Sequence, residues 1–199
     1  MKLQLTSGDA TALGKAVVAA TGTDPKQQHL HCVQISQNEN GVMFVATDSY
    51  VAHRVIVNNS ETTVARELLV NGSELSKALV SVAKNAGKNG TITLATDYSG
   101  DIIITNGNDS ITIEESGYRH YPALKSIIDG VTDIESNVSF NGDKLATVVK
   151  AATLVAGKDS LITFETMNTR KPARITADNG TLSFTGVVMP CRTMADSRR

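Results

Sequence analysis

One local pattern recurs three times along the 199 residues, and it limits the folds open to this chain more than any other feature. An alternating apolar stretch runs into a small polar turn and then into an amphipathic helix. The first copy is Leu3-Gln4-Leu5-Thr6-Ser7-Gly8-Asp9 leading to residues 13–18. The second is Leu68-Leu69-Val70-Asn71-Gly72-Ser73 leading to 75–80, and the third is Val138-Ser139-Phe140-Asn141-Gly142-Asp143 leading to 145–150. Asp9, Ser73 and Asp143 suit the N-cap, where a side-chain oxygen accepts from the free N–H groups of the first turn. The turns start 64 and then 70 residues apart.

Short strands should follow each helix, over 31–36, 42–47 and 50–57, then 91–96, 101–105 and 110–115, then 161–166, 173–177 and 181–189. Their period-two alternation, as in Thr91-Ile92-Thr93-Leu94, buries one face and wets the other. Asn40-Gly41, Asn106-Gly107 and Asn179-Gly180 fit tight hairpins in which both central residues take positive φ. The unit is a strand, a helix and a three-stranded antiparallel meander, which makes an α+β fold with helices on one face of antiparallel sheets. One helix cannot cover a meander, so units should pair, with two helices on a shared sheet. Residues 1–128 then form a complete two-unit domain and 129–199 a half domain, joined by the crossover at 116–137.

Hydrophobic residues at 41% and charged ones at 20% mark a globular chain. A net charge of −1 rules out coating nucleic acid with bulk positive charge. Four Tyr, four Phe and no Trp argue against stacking platforms for single-stranded bases. The charges are nevertheless segregated. Lys15, Lys77, Lys84, Lys144 and Lys150 fall on the helices, with Lys88 and Lys158 just beyond, while the acids concentrate in strands and loops. Helices lining one surface would make it phosphate-facing and blind to sequence; the alternative is ordinary solvated helix faces. Lys144 and Lys150 stand about 120° apart on the helical wheel, so the third helix presents no tidy row.

The N-terminus lacks the apolar stretch of a signal peptide and no run approaches the roughly 20 apolar residues of a membrane span, so a cytoplasmic, reducing location is expected. Cys32 and Cys191 are then not expected to pair. His29 and His31 alternate onto one face of a strand while Cys32 points the other way, with no second ligand cluster, so a metal site is not expected. Cys32 with His53 or His120 shows no local sign of an activated thiolate, and no glycine-rich phosphate loop is present. Neither catalysis nor a cofactor is expected.

Three segments resemble the bacterial β-type sliding clamp, the processivity factor of DNA polymerase. Val45-Ala46-Thr47-Asp48-Ser49-Tyr50 resembles the family's A-T-D-[GS]-[HY] strand end. Gly117 to Ile128, centred on Tyr121-Pro122, resembles the crossover from middle to last domain. Val187-Val188-Met189-Pro190-Cys191-Arg192 resembles the C-terminal V-V-M-P-M-R strand. Val51-Ala52-His53 departs from the usual Arg-Leu-Ala, Ala123 replaces an Asp, Asp129 stands where a Pro often ends the crossover, and Thr193 to Arg199 extend past the usual end.

The resemblance implies a head-to-tail ring, helices inside and sheets outside, that encircles double-stranded DNA and tethers a polymerase. It implies a homo-oligomer, a clamp loader among the partners, and no membrane. Lys15, Lys26, Lys77, Lys84, Lys88, Lys144 and Lys150 would face DNA. Partner peptides with apolar anchors would enter a pocket of Thr47, Ser49, Tyr50, Tyr121, Pro122 and Val187 to Arg192. The family ring resembles twelve strand–helix units. Three per chain suggests a tetramer, each orphan third unit pairing with a neighbour's, with a dimer or trimer as alternatives. A second reading is a clamp-fold interaction or scaffold protein that does not encircle DNA.

Overall fold

The computed structural model describes residues 1–58, 62–130, 138–157, 161–165 and 171–191. Among them the first unit is β1 (Lys2–Thr6), α1 (Ser7–Val18), β2 (Cys32–Asn38), β3 (Gly41–Thr47) and β4 (Val51–Asn58). The second is β5 (Leu68–Asn71), α2 (Gly72–Ala86), β6 (Thr91–Thr96), β7 (Ile102–Thr105) and β8 (Ser110–Ile113). A short crossover helix, α3 (Leu124–Asp129), precedes the third unit: α4 (Gly142–Ala156), β9 (Ile162–Glu165), β10 (Ala173–Asp178) and β11 (Leu182–Val188). The boundary expected at 128/129 falls inside α3.

α1, α2 and α4 are each capped by the last residue of the segment before them. Thr6 Oγ1 accepts from the Asp9 amide, Asn71 Oδ1 from those of Ser73 and Glu74, and Asn141 Oδ1 from those of Asp143 and Lys144. This corrects the sequence expectation. Asp9, Ser73 and Asp143 lie inside the first turn, where the acids favour the positive helix end.

The hairpins also differ from expectation. Gly41, Gly107 and Gly180 have positive φ, but Asn40, Asn106 and Asn179 do not. Asn106 Oδ1 instead accepts from the amides of Asn108 and Asp109, and Asn179 Oδ1 from those of Thr181 and Leu182. Side-chain-to-backbone bonds close these turns, so only the glycine needs the left-handed region. Residues 28–31 form a 3-10 turn, and β2 begins at Cys32, so His29 and His31 do not alternate along a strand.

Units pair, but not on one shared sheet. β1 of the first unit pairs with β6 of the second, and β5 of the second pairs with β2 of the first, both antiparallel. The result is a four-stranded sheet, β1-β6-β7-β8, and a seven-stranded sheet, β5-β2-β3-β4-β11-β10-β9. The third unit joins the larger sheet through β11, which pairs with β4 from Leu182↔Val57 to Val188↔Val51. α1 packs against both α2 and α4, and one apolar core runs under all three helices. Gly186 on β11 allows α4 to lie this close, since a Cβ there would sit 2.5 Å from Val148 Cγ1.

The caps give a direct test. Asn71→Ala should cost about 1 kcal/mol in urea unfolding, whereas Ser73→Ala should stay within about 0.5 kcal/mol. Equal losses would return the cap to Ser73.

Candidate nucleic-acid interface and peptide pocket

α1 is flanked on both sides by helices and covered beneath by strands, so its exposed Lys15 can only point away from the sheets. Lys15 and Lys150 each stand nine residues beyond their N-caps, Thr6 and Asn141, and both are exposed. Lys77 and Lys84 are exposed on α2, seven residues and so nearly two turns apart, which puts them on one helical face. Lys88 is exposed just past α2, and Lys26 in the loop after α1. Opposing charge on this row is limited to exposed Glu74, exposed Asp143 and half-buried Asp9, all in first turns.

Lys144 is placed differently. Its Nζ bonds Asp48 Oδ2 at 2.5 Å and lies 5.2 Å from the centre of the Tyr50 ring. Its charge is committed to the strand-end motif and not to the helix row. Lys158 lies outside the described residues.

The β3–β4 turn is built around Asp48. Its Oδ1 accepts from the amides of Tyr50 and Val51, both at 2.9 Å. Burial raises the Asp48 carboxyl, but Lys144 and these two amides outweigh it and hold the group below its usual value. Thr47 is buried, donates to Val51 O and accepts from the Ser49 amide. Ser49 takes φ 77°, alone among the described non-glycine residues, which explains why the resembled motif accepts Gly here. The turn displays Tyr50, 64% exposed, and Met189 donates its amide to Tyr50 O.

The expected pocket residues divide into two groups. Tyr50, Met189 and Cys191 are exposed and Pro190 is half-buried, forming a surface around the end of the β4–β11 ladder. Val187 and Val188 are buried, and Val187 packs with Ala52, Leu124, Ile128 and Tyr121 beneath α3. Tyr121 is fixed by its hydroxyl, which donates to Cys32 O at 2.9 Å, and burial pushes its phenol well up. Tyr121 and Pro122 line a cleft of about 740 Å³ with Met43, Leu124, Gln34 and Arg66, to the β2–β3 side of the Tyr50 surface. Arg192 lies outside the described residues. The sequence missed Asp48 as the organiser and α3 as the cover; the Asp-Ser-Tyr turn was a readable signal for the first.

His53, the departure from Arg-Leu-Ala, points into the core. Its Nδ1 donates to Ala16 O of α1 at 2.7 Å, and its ring meets Phe184 edge-on. Burial pushes its pKa down to about 4, with the Ala16 bond opposing. Cys32 is buried, and burial raises its thiol. No group of three or more potential metal ligands occurs among the described residues, and none of their helices is long and apolar enough to cross a membrane.

This arrangement matches solved structures. The β subunit of DNA polymerase III from Thermotoga maritima superposes with a TM-score of 0.70 at 16% identity, over 97% of this chain and 66% of that one. The sliding clamp of Bacillus subtilis gives 0.72 at 11%, over 97% and 64%. A putative β subunit from Eubacterium rectale gives 0.74 at 10%, over 97% and 66%. The fold is that of the bacterial sliding clamp. This clamp-fold chain spans just under two thirds of the length of those three structures. No protein-family model matches the sequence, and a search of curated proteins likewise finds no match.

Two predictions follow from the site's geometry. Between pH 6.5 and about 4 the unfolded chain protonates His53 while the folded one does not, so stability falls with pH across that window and levels off below it. The loss attributable to His53 should reach about 3 kcal/mol, and His53→Gln should flatten this part of the profile in urea unfolding at stepped pH. Ser49→Gly should leave stability equal or raised, whereas Ser49→Val should lower it by about 1–2 kcal/mol, read in the same assay.

Proposed function

We propose that this chain is a sliding clamp, a subunit of a homo-oligomeric ring that encircles duplex DNA and holds replication proteins to it. The observation that carries the reading is the helix row. α2, α1 and α4 stand side by side over the sheets with Lys15, Lys77, Lys84 and Lys150 exposed, in a chain whose total charge is −1. The favourable charge is concentrated where a ring would meet phosphates, and lysines without a bidentate fork attract the backbone without reading bases. Lys26 and Lys88 would extend this surface at its margins. The likeness to clamps supports the fold on which the reading stands.

The chemistry required is retention, not reaction, and it needs no cofactor. Three units per chain against the family's twelve favour four chains in the ring. Partners, a polymerase and a loader among them, would dock short peptides with apolar anchors on the surface of Tyr50, Met189 and Pro190. Tyr50 offers a ring face and Met189 an adaptable thioether. Asp48 and Lys144 beside them would orient a polar end of the peptide.

Imaging and binding together test this. Class averages of the assembled particle should show an open centre. Binding to duplex of arbitrary sequence should weaken linearly with the logarithm of salt concentration. The quadruple change of Lys15, Lys77, Lys84 and Lys150 to Glu should abolish that binding while leaving the particle assembled. A solid particle, or duplex binding indifferent to the four substitutions, overturns the reading.

A further inference from the structure

Within the first two units each leading strand pairs with the first meander strand of the other unit, β1 with β6 and β5 with β2. β5 pairs with β2 of the other unit on one edge, and on the other edge meets the segment after its own last strand, through the Val70↔Glu115 bridge and the Ser116 amide bonded to Leu69 O at 2.7 Å. The third unit repeats only the second of these contacts. Phe140 bridges Pro190, and the Cys191 amide donates to Ser139 O at 2.7 Å. Residues 138–140 are thus held in the strand position by their own unit. Among the described residues they have no sheet partner on the other edge, and β9 stands unpaired at the end of its sheet.

The side chains on this open side are apolar and exposed where their counterparts are buried. β9 places Phe164 opposite Ile175 and Ile162 opposite Ala177, both core-facing positions. Phe164 is nonetheless 45% exposed, while Leu94 and Ile35, its equivalents on β6 and β2, are fully buried. Val149 on α4 stands eight residues past its N-cap, the position held by Gly14 on α1 and Leu79 on α2. Those two meet where α1 and α2 cross, at 3.3 Å for a Cβ built on Gly14. Val149 is 38% exposed.

We infer that the third unit is completed by the third unit of a second copy of this chain, through a two-fold contact in which residues 138–140 of each copy add to β9 of the other and the α4 helices pack at Val149. The first two units show that this unit type completes another of its own kind by reciprocal strand exchange. The register follows from them. Leu5↔Ile92 and Leu3↔Leu94, like Val70↔Val33 and Leu68↔Ile35, place apolar leading-strand residues over the inward positions of the receiving strand. By the same offset Phe140 would face Ile162, Ser139 would face Thr163, and Val138 would face Phe164 of the second copy. A head-to-tail contact does not satisfy these edges. β8, at the end of the smaller sheet opposite β1, is a last strand of its meander, whereas β9 is a first strand that requires a leading strand.

This inference rests on the fold and the exposed edge, not on DNA binding, and its test separates the two. In the full chain with Cys191→Ser, the pair Ser139→Cys and Thr163→Cys should form a disulfide between copies under mild oxidation, giving a dimer on a non-reducing gel. Neither single variant should link in that manner. Val149→Glu should halve the solution mass by light scattering and leave the circular-dichroism spectrum unchanged. A double variant that stays unlinked, or a mass that Val149→Glu does not alter, overturns the inference. The four lysine changes should leave the cross-link intact, so a cross-linked particle that ignores DNA would overturn the clamp reading alone.

Discussion

The exchange of leading strands is the constraint from which the rest of the architecture follows. β1 passes into α1 with no intervening loop, because Thr6 is both the end of the strand and the cap of the helix. The strand does not join the meander that follows its own helix. It lies instead against β6 of the other unit and sends Leu3 and Leu5, both essentially buried, into the common core. β5 does the same in return with Leu68 and Val70. A lone unit would leave the ladder groups of a strand edge and an apolar helix flank in water, and both are costly. Helix pairing and sheet pairing are thus one event.

The seam between the first and third units places the candidate peptide surface. β4 and β11 pair along their whole length, His53 ties β4 down to α1, and Arg54 spans the seam on the outer face with Asp129 of α3 and Thr185 of β11. At the end of this ladder the chain must leave the sheet on both sides, through the Asp48 turn and through Met189-Pro190. Tyr50 and Met189 are displayed there because the pairing stops there, with Val51↔Val188 as the last rung. Lys144 reaches this point from the first turn of α4 and not the helix row, as its wheel angle from Lys150 had indicated.

Much of this was legible in the sequence, and the failures have common physical causes. The change from period two to helical spacing marked all three units, and the strand positions follow the alternation closely. The caps were misplaced because Asn71-Gly72-Ser73 and Asn141-Gly142-Asp143 offer two capping residues each, and only geometry selects the earlier. α3 was missed because six residues are too short to show periodicity, and Pro122-Ala123 before it reads as loop. Strand exchange left no trace at all, since inward residues alternate identically whichever unit receives them. The expected pocket mixed two environments for the same reason. Alternation along β11 does not reveal that α3 covers Val187 while Met189 stays open.

Symmetry links these observations to assembly. The exchange within the first two units and the β4–β11 seam are both local two-folds, one joining units through leading and first strands, the other through last strands. The seven-stranded sheet makes the point concretely. Reading outward from the seam, one side runs β4, β3, β2, β5, and the other runs β11, β10, β9 and then stops. Among the described residues nothing occupies the place corresponding to β5, and the segment of the same kind, residues 138–140, already belongs to the unit on the wrong side of the missing contact. A chain with an even number of units has two ends of the same kind and can repeat by last-strand contacts alone. An odd number leaves one end of each kind, so closure requires the two types of two-fold to alternate between neighbouring copies. A four-chain ring built in this way would present equivalent faces. Its Tyr50 surfaces would then point to both sides of the DNA-bearing plane, so polarity on DNA would have to come from the partners and not from the ring.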